Sequence, residues 1–178
     1  MDNQHMVTST KNWLSSFIIE HNICPFAKRV YDNDSIDYCV INSDVLQTQL
    51  EGLIETCEKL DSDQSFETSL LIYPQGLEAF DDYLDFLELA NALLHKQGYE
   101  GIYQLASFHP EYCFERADSD DPANFTNRSP YPMLHLIRED SLEKALEHYP
   151  NPENIPLRNI NYLRKMGTDR VRDIAAQC

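Results

Sequence analysis

The segment at residues 68–73, TSLLIY, limits the folds open to this chain more than any other feature. Its apolar side chains follow one another without polar alternation, and Pro74 ends it. Such a run is typical of a strand that is covered on both faces. Stripes of apolar residues with helical spacing lie on either side of it, at residues 46–60 and 77–94. The pattern predicts an α/β protein in which helices cover a central strand.

Three more segments are predicted to be strands, at residues 36–41, 102–108 and 133–137. The order strand, helix, strand, helix, strand favours parallel crossovers for the first three strands. The fourth follows a long loop and is compatible with an antiparallel direction. We therefore expect one domain at residues 10–167, with a small mixed sheet of about four strands packed with helices. An α/β class is favoured and α+β stays open, as do a ferredoxin-like arrangement and a three-layer sandwich. Residues 1–9 and 168–178 are expected to be flexible ends.

Charge and composition exclude several classes of function. The 178 residues include 14 Lys and Arg against 30 Asp and Glu, so the net charge is −16. An acidic surface disfavours nucleic acid and anionic membranes as partners, but a local arginine can still bind an anionic small molecule. The chain shows neither a transmembrane stretch nor a secretory signal, and a cytoplasmic location is expected. The five cysteines are scattered without a CxxC pair, and no glycine-rich nucleotide motif occurs. No metal and no cofactor are predicted, and the oligomeric state stays open.

Two candidate functional residues lie in or beside the long loop between the third and fourth strands. His109 ends the third strand and is followed by Pro110, a position suited to proton transfer. The alternative is a histidine that binds a loop carbonyl. Arg128, between Asn127 and Ser129, lies in a segment stiffened by prolines and is predicted to anchor an anion. Alternatively, Arg128 pairs with acidic residues of the same loop and closes it.

Cys24 is the candidate nucleophile. If Pro25 begins a helix, Cys24 is its cap residue, and the peptide dipoles favour the thiolate. A buried, inert thiol is the competing interpretation. His135 lies in the middle of a strand and is interpreted as a core histidine. Arg158 and Asn159, in the first turn of the last predicted helix, are expected to reach a site.

Five segments together resemble a known family. They are NICPFA at residues 22–27, ASFHPEY at 106–112, TNRSPYP at 126–132, the pair Leu134-His135, and IPLRN at 155–159. The chain resembles, over roughly residues 10–167, a bacterial family catalogued as a domain of unknown function, number 1415. The resemblance implies a bacterial cytoplasmic protein of one domain and supplies no activity or catalytic residues.

The sequence thus favours a small enzyme that acts on an anionic small molecule. In this hypothesis Arg128, Asn127 and Ser129 anchor the substrate, while His109 transfers protons and Cys24 is the nucleophile. The alternative is a non-catalytic module that binds a metabolite or a partner protein.

Overall fold

A four-stranded mixed sheet forms the centre of the computed structural model, which describes residues 2–177. Its strands are β1 (Ile36–Val40), β2 (Thr68–Ile72), β3 (Tyr103–Phe108) and β4 (Met133–Arg138). Their order is β1-β2-β4-β3. β1 and β2 are parallel, and β4 lies between β2 and β3 and is antiparallel to both. The prediction of three parallel strands and a mixed sheet is therefore confirmed.

Seven α-helices and two short 3₁₀ helices surround the sheet in the described chain. The α-helices are α1 (Asn3–Trp13), α2 (Ala27–Asp32), α3 (Leu46–Ser62), α4 (Phe80–Lys96), α5 (Glu139–Glu147), α6 (Ile155–Met166) and α7 (Thr168–Ala175). The 3₁₀ helices are Pro122–Thr126 and Pro152–Asn154. α1 continues into a π-helical turn at Leu14–Ile19.

Helices cover both faces of the sheet, so the fold is a three-layer sandwich. Successive residues of β2 point to opposite faces: Leu71 packs with α3 and α4, and Leu70 packs with α1 and α6. All five residues of β2 are buried, as the unbroken apolar run predicted. Of the two expected architectures, the three-layer sandwich is the one that forms.

The two ends of the chain differ from the expected flexible segments. α1 begins at Asn3, and Met6 in its second turn is almost completely buried. α7 extends to Ala175, and its Val171 is also buried. Val7 and Ile174 pack against the same core, partly buried, and the burial of these apolar side chains stabilises both helices against the sheet layer. Met1 and Cys178, the outermost residues of the two expected flexible ends, lie outside the described residues.

Pro25 does not begin a helix, so the condition under which Cys24 would be a helix cap is not met. A turn forms instead, in which the Ala27 N–H donates to the Cys24 carbonyl at 3.3 Å, and α2 starts only at Ala27. Just before this turn, Asn22 adopts a left-handed backbone conformation with φ of 52°. The Cys24 thiol is therefore carried by the turn that enters α2.

Candidate ligand-binding site

His109 is completely buried, and both of its ring nitrogens bind the backbone. Nε2–H donates to the Leu77 carbonyl at 3.0 Å, while Nδ1 accepts from the Glu111 N–H at 3.0 Å. Burial lowers the pKa of His109, consistent with this neutral tautomer. The imidazole ties the start of the long loop to the segment before α4. Its role in proton transfer stays a prediction, and neither ring nitrogen is left open to a ligand.

Arg128 also binds the backbone of its own loop. Nε donates to the Tyr112 carbonyl at 3.0 Å and Nη2 to the Ser119 carbonyl at 2.8 Å. The guanidinium lies over the ring of Phe125, with 4.7 Å between its central carbon and the ring centroid. The arginine thus closes the loop, as the structural alternative expected, but through carbonyl oxygens rather than through carboxylates.

The two acidic residues at the middle of the loop have other partners. Asp120 pairs with Arg172 of α7 at 2.7 Å, and Asp121 pairs with Arg164 of α6 at 2.5 Å. The loop is thereby fastened to the two C-terminal helices.

Asn127 and Ser129, the chain neighbours of Arg128, also donate side-chain hydrogen bonds to backbone carbonyls. The Asn127 side-chain amide donates to the Ser107 carbonyl at 3.0 Å, and the Ser129 hydroxyl donates to the Tyr131 carbonyl at 2.6 Å. The proposed roles of Asn127 and Ser129 in anchoring a substrate stay predictions, since these polar groups are occupied by the loop itself.

Arg158 and Asn159 of α6 hold the backbone that precedes Cys24. The Asn159 side-chain amide donates to the Ile23 carbonyl at 2.7 Å, and Arg158 Nη2 donates to the Asn22 carbonyl. Arg158 Nη2 also donates to Asn159 Oδ1 at 2.7 Å. An arginine in the first turn opposes the helix dipole, but here its donors serve a carbonyl outside the helix. These two residues therefore position the turn that carries Cys24.

Cys24 faces a cavity of about 140 Å³, which we call the inner chamber. The chamber lies between the sheet and the helices α1, α2 and α5. Its walls are mainly apolar and include Leu14, Val30, Leu70, Phe108 and Leu142. The polar side chains among its lining residues are those of Cys24, Thr68 and His135, and, toward one end, Arg29, Glu67 and Ser141. Neither His109 nor Arg128 is among the described residues that line it.

His135 has one occupied and one open ring nitrogen. The Thr68 hydroxyl donates to the Leu136 carbonyl at 2.6 Å, so it accepts from Nε2–H of His135 at 2.7 Å. Nδ1 is then a hydrogen-bond acceptor, and it has no partner among residues 2–177. Burial lowers the pKa of His135 to about 4, so the ring is neutral at pH 7. The sequence predicts that His135 is a core histidine. The side chain does lie within the fold, but it lines a cavity.

Burial raises the pKa of the Cys24 thiol. The backbone N–H groups of Phe26 and Ala27 favour the thiolate, but the loss of hydration outweighs them. Cys24 and His135 therefore lie on one chamber as a neutral thiol and a neutral imidazole.

A second, larger cavity of about 640 Å³ adjoins the inner chamber, and we call it the outer cavity. The two spaces share five lining residues: Phe26, Arg29, Glu67, Ser141 and Ala145. Around the outer cavity lie Arg29, Arg138, Lys144 and His148. Glu67 is its one carboxylate among the described lining residues, and Arg29 Nη2 donates to it.

The basic side chains around the outer cavity differ in how many hydrogen bonds they already make within the protein. Arg138 is fixed by donors to the Tyr103 hydroxyl, at 3.1 Å, and to the Leu60 carbonyl. Lys144 is exposed, and its ammonium has no partner among residues 2–177. His148 Nδ1 binds the Lys144 carbonyl at 2.8 Å, which leaves Nε2 toward solvent. The cavity thus combines the fixed positive charge of Arg138 with the ammonium of Lys144, which is free to bind an anion.

Four of the five segments that resemble the family contact one another, in two pairs. The segment at residues 22–27 is held by Arg158 and Asn159 from the segment at 155–159. The segment at 106–112 is joined to the segment at 126–132, where the His109 N–H donates to the Asn127 carbonyl at 3.1 Å. Cys24 and Phe26 from the first pair and Phe108 from the second then line the inner chamber, together with His135.

The described residues contain neither a candidate metal site nor a helix that could span a membrane. No cluster of three or more His, Cys, Asp or Glu side chains there could hold a metal ion. None of the helices at residues 2–177 has both the length and the apolar character needed to cross a bilayer.

The fold and the site define a three-layer α/β protein with a cation-lined outer cavity that leads to an apolar inner chamber. The family described as "Protein of unknown function (DUF1415)" matches residues 5–173, and the chain belongs to this family. The comparison with curated proteins gives no match, and neither does the comparison with solved structures.

Proposed function

We propose that this protein binds an anionic small molecule in the outer cavity. The observation that carries the proposal is the gathering of positive charge: three of the 14 Lys and Arg side chains, against the single carboxylate of Glu67 among the described lining residues, surround one cavity in a chain of net charge −16. A screened negative surface does not prevent binding at such a site, because the local field at short range outweighs distant charges. The sequence favours a pocket of Arg128, His109 and Cys24, and of these three residues Cys24 alone lines either of the two adjoining cavities.

Binding is favoured over catalysis at this site. An enzyme that used Cys24 as its nucleophile would need a thiolate and a base with a pKa near the working pH. Burial moves the pKa of Cys24 upward and that of His135 down to about 4, so both groups are disfavoured for those roles. A non-catalytic metabolite-binding protein is therefore our proposal. The enzymatic alternative predicts a Cys24 that is alkylated near pH 7 faster than an ordinary free thiol.

The test is a titration of the ¹⁵N-labelled protein with inorganic phosphate, followed by NMR. We expect saturable shifts in α5 and in residues 64–67. Replacing Arg29 and Lys144 together by glutamine should weaken binding about tenfold or more, since each charged hydrogen bond contributes about 1.5–3 kcal/mol. The matched control is Lys96→Gln, at an exposed position of α4 outside the cavity. Unsaturable shifts, or an equal loss in the control, would refute the proposal.

A further inference from the structure

The inner chamber adjoins the proposed anion site but has the opposite chemistry. Its walls are mainly aliphatic and aromatic, while the outer cavity is cationic. The shared residues Phe26 and Ala145, with the Arg29–Glu67 ion pair, form the junction between them. A single molecule can therefore place a charged group outside and an apolar group inside.

The size of the chamber limits that apolar group. Its volume of about 140 Å³ is close to that of an apolar cavity of about 150 Å³ that stays dry and takes up benzene. Water gains few hydrogen bonds from such walls, so an apolar occupant has little to displace. The chamber thus fits one six-membered ring or a branched chain of similar size.

One polar atom in the chamber still needs a partner. His135 Nδ1 is an acceptor with no hydrogen bond to residues 2–177, in surroundings that are otherwise apolar. Its other nitrogen binds Thr68, which in turn donates to the Leu136 carbonyl, so the opposite tautomer would lose the bond from Thr68 to Leu136. His135 is only partly buried, and the one buried polar atom without a partner in the described chain is the Tyr73 hydroxyl oxygen. An occupant of the chamber with an O–H or N–H group can therefore donate to Nδ1 in place of water.

We propose that the ligand is an amphipathic anion: a phosphate or carboxylate in the outer cavity, joined to a phenyl-sized apolar group in the inner chamber that carries a hydrogen-bond donor facing His135. This inference rests on the proposed function and names the class of its ligand. Cys24 lies on the same chamber and reports its occupancy, because an occupant of this volume covers the thiol.

The experiment compares inorganic phosphate, phenyl phosphate and the three hydroxyphenyl phosphates as probes of binding by calorimetry. Phenyl phosphate should bind at least about tenfold more tightly than inorganic phosphate, since burial of a ring contributes more than 1.4 kcal/mol. At least one hydroxyphenyl isomer should bind more tightly still, and His135→Phe should abolish that additional gain. Binding of inorganic phosphate with no gain from the ring overturns this inference alone. Absence of inorganic phosphate binding overturns the proposed function.

Variants of α5 provide a matched control for occupation of the chamber. Leu142 lines the chamber, whereas Leu146 is also half-buried on α5 but lines neither cavity. Leu142→Phe should remove the preference for phenyl over inorganic phosphate and leave phosphate binding intact, and Leu146→Phe should change neither. Equal behaviour of the two variants contradicts the placement of the ring.

Alkylation of the unmodified protein gives a second measurement that needs no substitution. Phenyl phosphate should slow the reaction of Cys24 with iodoacetamide, read by peptide mass spectrometry, while inorganic phosphate should not. Cys113, in the long loop and outside both cavities, is the internal reference. Equal protection of both cysteines, or of neither, counts against the proposal.

Discussion

Acid should destabilise this protein through His135. Its folded pKa is about 4, below the value of about 6.5 for an unperturbed histidine. Between these values the unfolded chain binds a proton that the folded chain does not, so the free energy of unfolding falls as the pH falls. The stabilising contribution of neutral His135 is complete above about pH 6.5 and is lost toward pH 4.

The magnitude follows from the difference between the two pKa values. The contribution of His135 to the free energy of unfolding should fall by about 2 kcal/mol between pH 7.5 and pH 5, and by about 3 kcal/mol by pH 4. The groups around the ring are the Thr68 hydroxyl, the ring of Phe108 and the chamber walls with Cys24. At the junction with the outer cavity, the charges of Arg29 and Glu67 are paired with each other.

Urea unfolding of the wild type and His135→Gln at pH 7.5, 6 and 5 measures this contribution. Glutamine keeps an N–H donor for Thr68 but does not titrate. The variant should lose about 2 kcal/mol less than the wild type over this range. His109, whose pKa is also lowered, contributes equally to both proteins and cancels. His5→Gln, on the exposed side of α1, should behave as the wild type does. Equal pH dependence of wild type and His135→Gln would refute the assignment of a buried, neutral ring.

Four further predictions concern stability and the Cys24 turn. Tyr73→Phe should raise the free energy of unfolding by about 1 kcal/mol, because its buried hydroxyl has no partner among residues 2–177. Tyr83→Phe should lower it by about 2 kcal/mol, because that hydroxyl donates to one backbone group and accepts from another. Asn159→Ala should speed alkylation of Cys24 several-fold by releasing the Ile23 carbonyl, and an unchanged rate would deny Asn159 its positioning role. Arg128→Lys should cost about 2 kcal/mol in urea unfolding, because lysine cannot keep both carbonyl contacts and the stacking on an aromatic ring.

The fold was predictable because, along most of the chain, the spacing of apolar residues in the sequence matches the side chains that the strands and helices bury. The apolar run at residues 68–73 predicted a strand covered on both faces, and β2 is buried at every position. Met6 and Val171 are exceptions, because they are buried although the spacing of apolar residues around them predicts no buried face. Both lie in mostly polar end segments, and their burial depends on the distant surfaces they meet, which no local pattern records.

The cavities could not be predicted from the sequence. Arg128, His109 and Cys24 were expected together, but Cys24 alone of the three lines a cavity, while His109 and Arg128 hold the long loop closed. The local sequence around these two residues predicts a rigid, polar loop. The same pattern is expected for a ligand-binding loop and for a loop whose side chains hydrogen-bond to its own backbone. His135 reached the cavity because β4 enters between β2 and β3, a placement set by strand order.

The cavity itself follows from how α5 completes the outer layer of the fold. None of the residues of α5 is fully buried, and Leu142 and Ala145 on its inward face meet the chamber instead of a packed core. A helix seated over an unfilled space gains less from burial than one over a close-packed layer. An occupant of the chamber would supply those missing contacts, and the free energy of unfolding would rise with its concentration. The same helix carries Lys144 and His148 on the outer cavity, so one element joins the apolar and the anionic parts of the proposed ligand.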